Sequence, residues 1–206
     1  MNKTYNLHSL LDALQQASPT VDYVSECFNR SRISSEDIAP YRHFDSSGYT
    51  RNLIFDNTDF ELMLICWHPG HKTPIHDHNH STGFIYAVEG PLLEKIYTTG
   101  PDREHNHQSD AIITALPANQ TTYSTSPSNS PVFEASSRLI HTGHFTIISD
   151  DIGYHSVENH TDHDCCSLHL YYKPILFCHG YNTQNAQRTH RKLSFHSSYG
   201  KRQSSS

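Results

Sequence analysis

The chain has 206 residues, with 15 Lys and Arg against 21 Asp and Glu for a formal charge of −6. That length suits one sizeable domain, and the acidic balance argues against non-specific nucleic-acid binding, which draws on a basic surface. A mean hydropathy of −0.63 and no apolar run approaching the ~20 residues of a bilayer span exclude a membrane helix. The opening MNKTYNLHSLLDALQQ is polar throughout and does not read as a signal peptide, so a cytoplasmic protein is expected. Five cysteines, Cys27, Cys66, Cys165, Cys166 and Cys178, form no CxxC pair. They read as thiols in a reducing compartment rather than as a disulfide framework or a zinc ribbon.

Leu7, Leu10, Leu11 and Leu14 recur at three- and four-residue steps and predict a helix with one apolar face. Ser18-Pro19-Thr20 breaks it and offers caps for a second helix carrying Val21, Val24, Cys27 and Phe28. A third short helix is expected over Ser34–Ala39, stopped by Pro40. From Tyr49 onward the texture changes to short β-branched and aromatic runs. Strands are expected at Tyr49–Phe55, Glu61–Trp67, Gly83–Val88, Leu92–Tyr97, Ala111–Leu116, His144–Ser149, Gly153–Val157, Ser167–Tyr172 and Ile175–Cys178. Turn signals such as Pro69-Gly70, Glu89-Gly90-Pro91 and Gly100-Pro101-Asp102 separate them, which predicts an antiparallel sandwich or barrel. The Ser- and Pro-rich Ser124–Ser137 reads as a surface loop. After Asp164 there is no acidic residue, while Lys173, Arg188, Arg191, Lys192, Lys201 and Arg202 follow. Residues 1–182 are therefore read as one domain, and 183–206 as a basic polar tail, solvated or disordered.

Eighteen histidines make spacing the deciding question, because imidazole is both a metal ligand and an ordinary surface group. In the stretch from Gly70 to Gly90, His76 and His78 lie two apart, so on an extended strand they present two rings to one face. A third ligand must come from elsewhere. His155, just after the turn Asp150-Asp151-Ile152-Gly153, is the best candidate and His144 its rival. Taken alone, such a pair in so histidine-rich a chain reads better as a solvated surface pair.

The frame around it resembles the cupin superfamily: Gly70, His76, His78 and Gly90 fit its first motif, and His155 with Asn159 its second. Gly83 stands where many cupins place a glutamate ligand. Further segments resemble the cysteine dioxygenases within that superfamily, namely Tyr49-Thr50-Arg51, Cys66-Trp67 leading to His76-Asp77-His78, and Ser167-Leu168-His169-Leu170-Tyr171. The resemblance implies a mainly β protein, a small jelly-roll cupin barrel with two or three N-terminal helices, monomeric, acting on L-cysteine and O2 without nucleic acid or membrane. It implies Fe(II) on His76, His78 and His155, and a substrate carboxylate held by Arg51 with Tyr49 and Tyr171 beside it. Ser167 would orient His169, and His169 the Tyr171 hydroxyl. Trp67 reads as core or pocket wall. Many animal members carry a cysteine that crosslinks to this tyrosine; the equivalent position here is Gly83, so no thioether is expected. A mercaptopropionate-type dioxygenase and a non-catalytic metal-binding cupin are the alternatives; relatives of the former usually have glutamine where this chain has Arg51.

Overall fold

The computed structural model describes residues 4–16, 20–99, 131–183 and 185–203. Helix α1 (Leu7–Gln16) buries Leu7, Leu10, Ala13 and Leu14, the stripe its leucine spacing predicts. Helix α2 (Val21–Asn29) starts where the Thr20 side chain accepts from the Tyr23 amide, satisfying one of the otherwise unpaired first-turn donors. Helix α3 (Ser35–Ile38) opens on a reciprocal Ser34–Asp37 capping box. Pro40 does not end the winding at once but sits in a following 3-10 turn, Ala39–Tyr41.

The strands are β1 (Thr50–Asp56), β2 (Phe60–Trp67), β3 (Ile75–His76), β4 (Thr82–Glu89), β5 (Leu92–Thr99), β6 (Val132–Ile140), β7 (Phe145–Ile148), β8 (Tyr154–Glu158), β9 (Cys165–Tyr172), β10 (Phe177–Tyr181), β11 (Arg188–Lys192), β12 (Ser197–Ser198) and β13 (Lys201–Arg202). Seven form one sheet in the order β13-β12-β1-β2-β9-β4-β7, and six form another in the order β11-β10-β3-β8-β5-β6. Pairing is antiparallel except where β12 runs parallel to β1.

Strand β2 is buried along its whole length because both its faces are covered. Leu62, Leu64 and Cys66 join Leu10, Leu14 and Phe28 in a core beneath the helices. Met63, Ile65 and Trp67 alternate with them and join Ala87, Val157 and Tyr171 in the core between the sheets. The second core is the one that holds the site.

Two expectations change. Residues 132–137 are not loop but the first part of β6, paired with β5. This is a sheet-edge strand, buried only at Val132 and Ile140 and exposed or half-buried between them, and its outward Ser and Glu gave it the composition of a loop. Ala111–Leu116 and residues 124–130 lie outside the described residues. The basic segment after Thr183 contributes β11 to one sheet and β12 and β13 to the other. It is largely exposed along β11 but paired to its neighbours in backbone hydrogen bonds.

Candidate metal centre

His76 ends β3, His155 is the second residue of β8, and the two face each other directly in an antiparallel bridge. His78 follows in a turn whose Asn79 and His80 both have positive φ, 48° and 65°. That turn is held by Asp150, which accepts from the amides of His78 and His80 at 2.7 Å each. The result is that Nε2 of His155 lies 3.1 Å from Nε2 of His78 and 3.3 Å from Nε2 of His76.

Their other nitrogens fix the chemistry of this cluster. Nδ1 of His76 donates to the Pro74 carbonyl at 2.9 Å, and Nδ1 of His155 donates to Oε1 of Glu94 at 2.8 Å. In a neutral ring with its proton on Nδ1, Nε2 carries only a lone pair, so at least two lone pairs are aimed at each other in a buried space. Desolvation, reinforced by repulsion from His155, lowers the pKa of His76 to about 3, and the same two causes hold His78 well below the ordinary histidine range. Neutral rings with converging lone pairs repel one another unless a cation lies between them. Nitrogens about 3 Å apart also suit a divalent ion with bonds of about 2.1 Å. His76, His78 and His155 are the one such group among the described residues, and they fit a metal held on one face.

Glu94 was not foreseen. It is fully buried, and its Oε2 accepts from Nε of Arg138 at 2.7 Å. Burial pushes its carboxyl up, but the bonds from His155 and Arg138 outweigh this and hold it below the usual range. The signal was present in Leu92-Leu93-Glu94-Lys95-Ile96, where strand alternation puts Glu94 on the inward face with Leu92 and Ile96. His144 lies exposed at the β6–β7 turn, outside the cluster. His80, His160 and His163 are exposed, and His68 pairs with Asp164 at 2.7 Å.

Ser167, His169 and Tyr171 alternate on the inner face of β9 and touch in series. Ser167 Oγ lies 2.9 Å from Nε2 of His169, and Nδ1 of His169 lies 3.3 Å from the Tyr171 hydroxyl. Trp67 is more than a wall, because its indole donates to Ser167 Oγ at 3.0 Å. An indole only donates, and among the described residues His169 is the acceptor in reach of the serine hydrogen. The hydrogens therefore run from Trp67 to Ser167 to His169 to Tyr171, leaving the phenolic hydrogen directed outward from the chain. Burial lowers His169 well below its usual range and raises Tyr171, so both are neutral.

Arg51 points inward from β1, buried, with its guanidinium over the Phe195 ring at 5.1 Å and Nε donating to Met63 Sδ at 3.3 Å. Its Nη1 and Nη2 have no hydrogen-bond partner. One buried acid stands near it, Glu61, whose Oε1 is 3.5 Å from Nη2. Glu61 shares the inward face of β2 with Met63, Ile65 and Trp67, and this is again a carboxylate in the apolar register of a strand. Tyr49 stacks on Trp67 at a centroid distance of 5.1 Å. An open cleft of about 590 Å3, lined by Tyr49, Arg51, Leu193 and Phe195 among others, reaches this end of the site from solvent; His76, His78 and His155 do not line it.

Asp77, between the two histidines, turns the opposite way. It accepts from the His179 amide and ring and from Nη2 of Arg188. One cation of the basic C-terminal segment is thus tied to the strand that carries the histidines.

Two facing sheets enclosing three converging imidazoles, with helices packed on one outer face, define a cupin of the three-histidine kind. The chain belongs to the cysteine dioxygenase family: the family model described as cysteine dioxygenase type I matches residues 3–184. It is similar to human cysteine dioxygenase type 1, 34% identical over 165 residues that cover 79% of this chain and 70% of that protein. The zebrafish (Danio rerio) cysteine dioxygenase type 1 is 30% identical over 200 residues, 95% of this chain and 87% of that one. Among solved structures, the cupin domain of an XRE family transcriptional regulator from Enterobacter cloacae covers 62% of this chain and 99% of its own, at 11% identity and a TM-score of 0.40.

Proposed function

We propose that this chain is a thiol dioxygenase that converts L-cysteine and O2 to cysteine sulfinate at Fe(II) held by His76, His78 and His155. The observation that carries the reading is the buried Arg51, whose Nη1 and Nη2 make no hydrogen bond and whose charge acts on His76. A carboxylate meets two parallel N–H donors there, the geometry for which guanidinium is suited and ammonium is not. Arg51 in the place of a glutamine favours an α-amino thiol acid over mercaptopropionate.

When bound, iron would supply a Lewis-acidic centre that favours the thiolate form of the substrate and redox chemistry toward O2. The protein's own part is binding and proton placement. Arg51 fixes the carboxylate, Tyr49 borders it, and the three imidazoles bring no carboxylate ligand to the centre. The chain Trp67–Ser167–His169 holds the Tyr171 hydroxyl as a donor toward the substrate, with its direction set before substrate arrives. Both oxygen atoms of O2 end on sulfur, so the thiol plus O2 balances as the sulfinic acid. The reading takes the enzyme to work as a cytoplasmic monomer, with neither nucleic acid nor membrane as partner.

The test is oxygen uptake by the freshly purified protein with L-cysteine, together with mass-spectrometric detection of sulfinate and analysis of bound metal. Stoichiometric sulfinate with iron present supports the reading. Faster turnover of mercaptopropionate would reassign the substrate, and zinc or nickel with no oxygen uptake would make the protein a non-catalytic cupin.

A further inference from the structure

On the opposite face of the sheet from the histidines, Cys66 on β2 and Cys166 on β9 are direct cross-strand partners. Both are in the core beneath the helices, 1% and 0% exposed. Directly opposed residues of an antiparallel pair share a face, with Cα atoms about 4.5–5.5 Å apart. That spacing falls within the ~4.4–6.8 Å range of a disulfide. The two thiols are free.

The surroundings differ from those of an inert core thiol. The Asn52 side-chain amide donates to Cys66 Sγ at 3.6 Å. The Arg42 guanidinium contacts Cys166 and pairs with Glu89 at 3.2 Å. The Arg42 side chain is itself 37% exposed, so the dithiol lies one side chain below solvent. An amide donor and a cation beside a sulfur stabilise its thiolate.

We propose that Cys66 and Cys166 are a reversible redox modification site, which closes to a cross-strand disulfide on reaction with a peroxide. The Cys66 thiolate attacks one peroxide oxygen, the O–O bond breaks, and the departing hydroxide takes up the thiol proton as water. The Cys66 sulfenic acid so formed is attacked by the Cys166 sulfur, the S–S bond forms, and a second water leaves. Two thiols lose two electrons, and the peroxide gains them. The Asn52 amide that donates to Cys66 Sγ stabilises the thiolate there, which makes Cys66 the attacking sulfur and Cys166 the resolving one.

The chain neighbours of the pair connect it to the other face. Trp67 follows Cys66, Ser167 follows Cys166, and the indole of Trp67 donates to Ser167 Oγ. Drawing β2 and β9 together at the dithiol therefore alters the start of the chain that ends on Tyr171. Trp67 is the single tryptophan of the sequence, so its emission reports on the surroundings of this one indole.

The full-length purified protein is treated with hydrogen peroxide, blocked by alkylation, and mapped by tandem mass spectrometry. The expected result is a loss of two hydrogens, a linked peptide joining Cys66 to Cys166, and a shift in Trp67 emission, all reversed by dithiothreitol. Cys27, Cys165 and Cys178 remain alkylated. In Cys166→Ser the link is lost and Cys66 is trapped as a sulfenic acid by dimedone. Recovery of both Cys66 and Cys166 as alkylated thiols from peroxide-treated wild type, or links confined to other cysteines, overturns the proposal. The wild-type map decides the matter by itself should the variant fail to fold.

Discussion

Glu94 and His155 form a sealed pair: the histidine Nδ1 donates to Oε1 of the carboxylate at 2.8 Å, and both side chains are 1% or less exposed. The contact sets the imidazole tautomer, so that Nε2 presents a lone pair to the centre. Glu94→Ala removes that orientation and leaves Arg138 without its acid. The expected outcome is a roughly 10–100-fold weaker hold on iron, read by competition with a chelator. Iron retention equal to wild type would deny Glu94 this role. His76→Ala, by contrast, should abolish iron binding while far-ultraviolet circular dichroism stays unchanged.

Arg51 is expected to act on substrate affinity more than on the chemical step. Arg51→Ala should raise the apparent KM for cysteine by about 10–150-fold, the loss of a charge-assisted bond of about 1.5–3 kcal/mol. Arg51→Lys keeps a cation beside Glu61 but not the two-pronged fork, so it should fold like wild type and still show the raised KM. A KM within twofold of wild type for both variants would remove Arg51 from the substrate site.

Glu61 sets a pH dependence of stability. Burial raises its pKa above the ordinary carboxylate value, and Arg51 only partly counters this. The folded state therefore keeps the proton after the unfolded chain has released it. Stability falls as pH rises from about 4.5, the model-peptide region of glutamate, through the higher folded value. Glu61→Gln has no such proton to lose. Its Tm relative to wild type should climb over that interval, whatever constant offset the lost ion pair introduces; parallel Tm curves for the two proteins would refute the assignment.

Gly83 is fitted to its neighbours. A Cβ placed there would stand 3.1 Å from Cγ2 of Ile148 and 3.1 Å from Cε1 of Tyr171. Gly83→Ala should then cost about 1–3 kcal/mol as an overpacked site, measured by denaturant unfolding, and turn the Tyr171 ring. With no sulfur at this position, intact-mass analysis of wild type should find Tyr171 free of any link to a cysteine. A two-hydrogen deficit mapped to Tyr171 would contradict that expectation.

Much of the fold could be read from local pattern. The leucines of α1, the alternation in β2 and the turn glycines are near-neighbour signals, and the helices and most strands fall within a few residues of where those signals place them. The spacings His76/His78, Tyr49/Arg51 and Ser167/His169/Tyr171 are also local, but only the last set lies within one strand and takes its common face from period-two alternation; His78 stands in the turn after β3, held by Asp150. Three strands deceived the eye for a physical reason. An edge strand such as β6 needs no apolar outer face, and short β12 and β13 are held by backbone pairing that carries no side-chain signature.

What only tertiary structure decided are the contacts made across strand register. His155 meets His76 because β8 pairs with β3, and His144, its lower-ranked rival in the sequence, does not. Glu94 and Glu61 look like solvated acids until the sheets close over them and give each a cation to face. Trp67 joins the serine–histidine–tyrosine chain from another strand, 100 residues away in sequence. Sequence determines which side chains share a face, since that follows from the backbone period. Which faces meet depends on non-local pairing, and no short-range pattern encodes it.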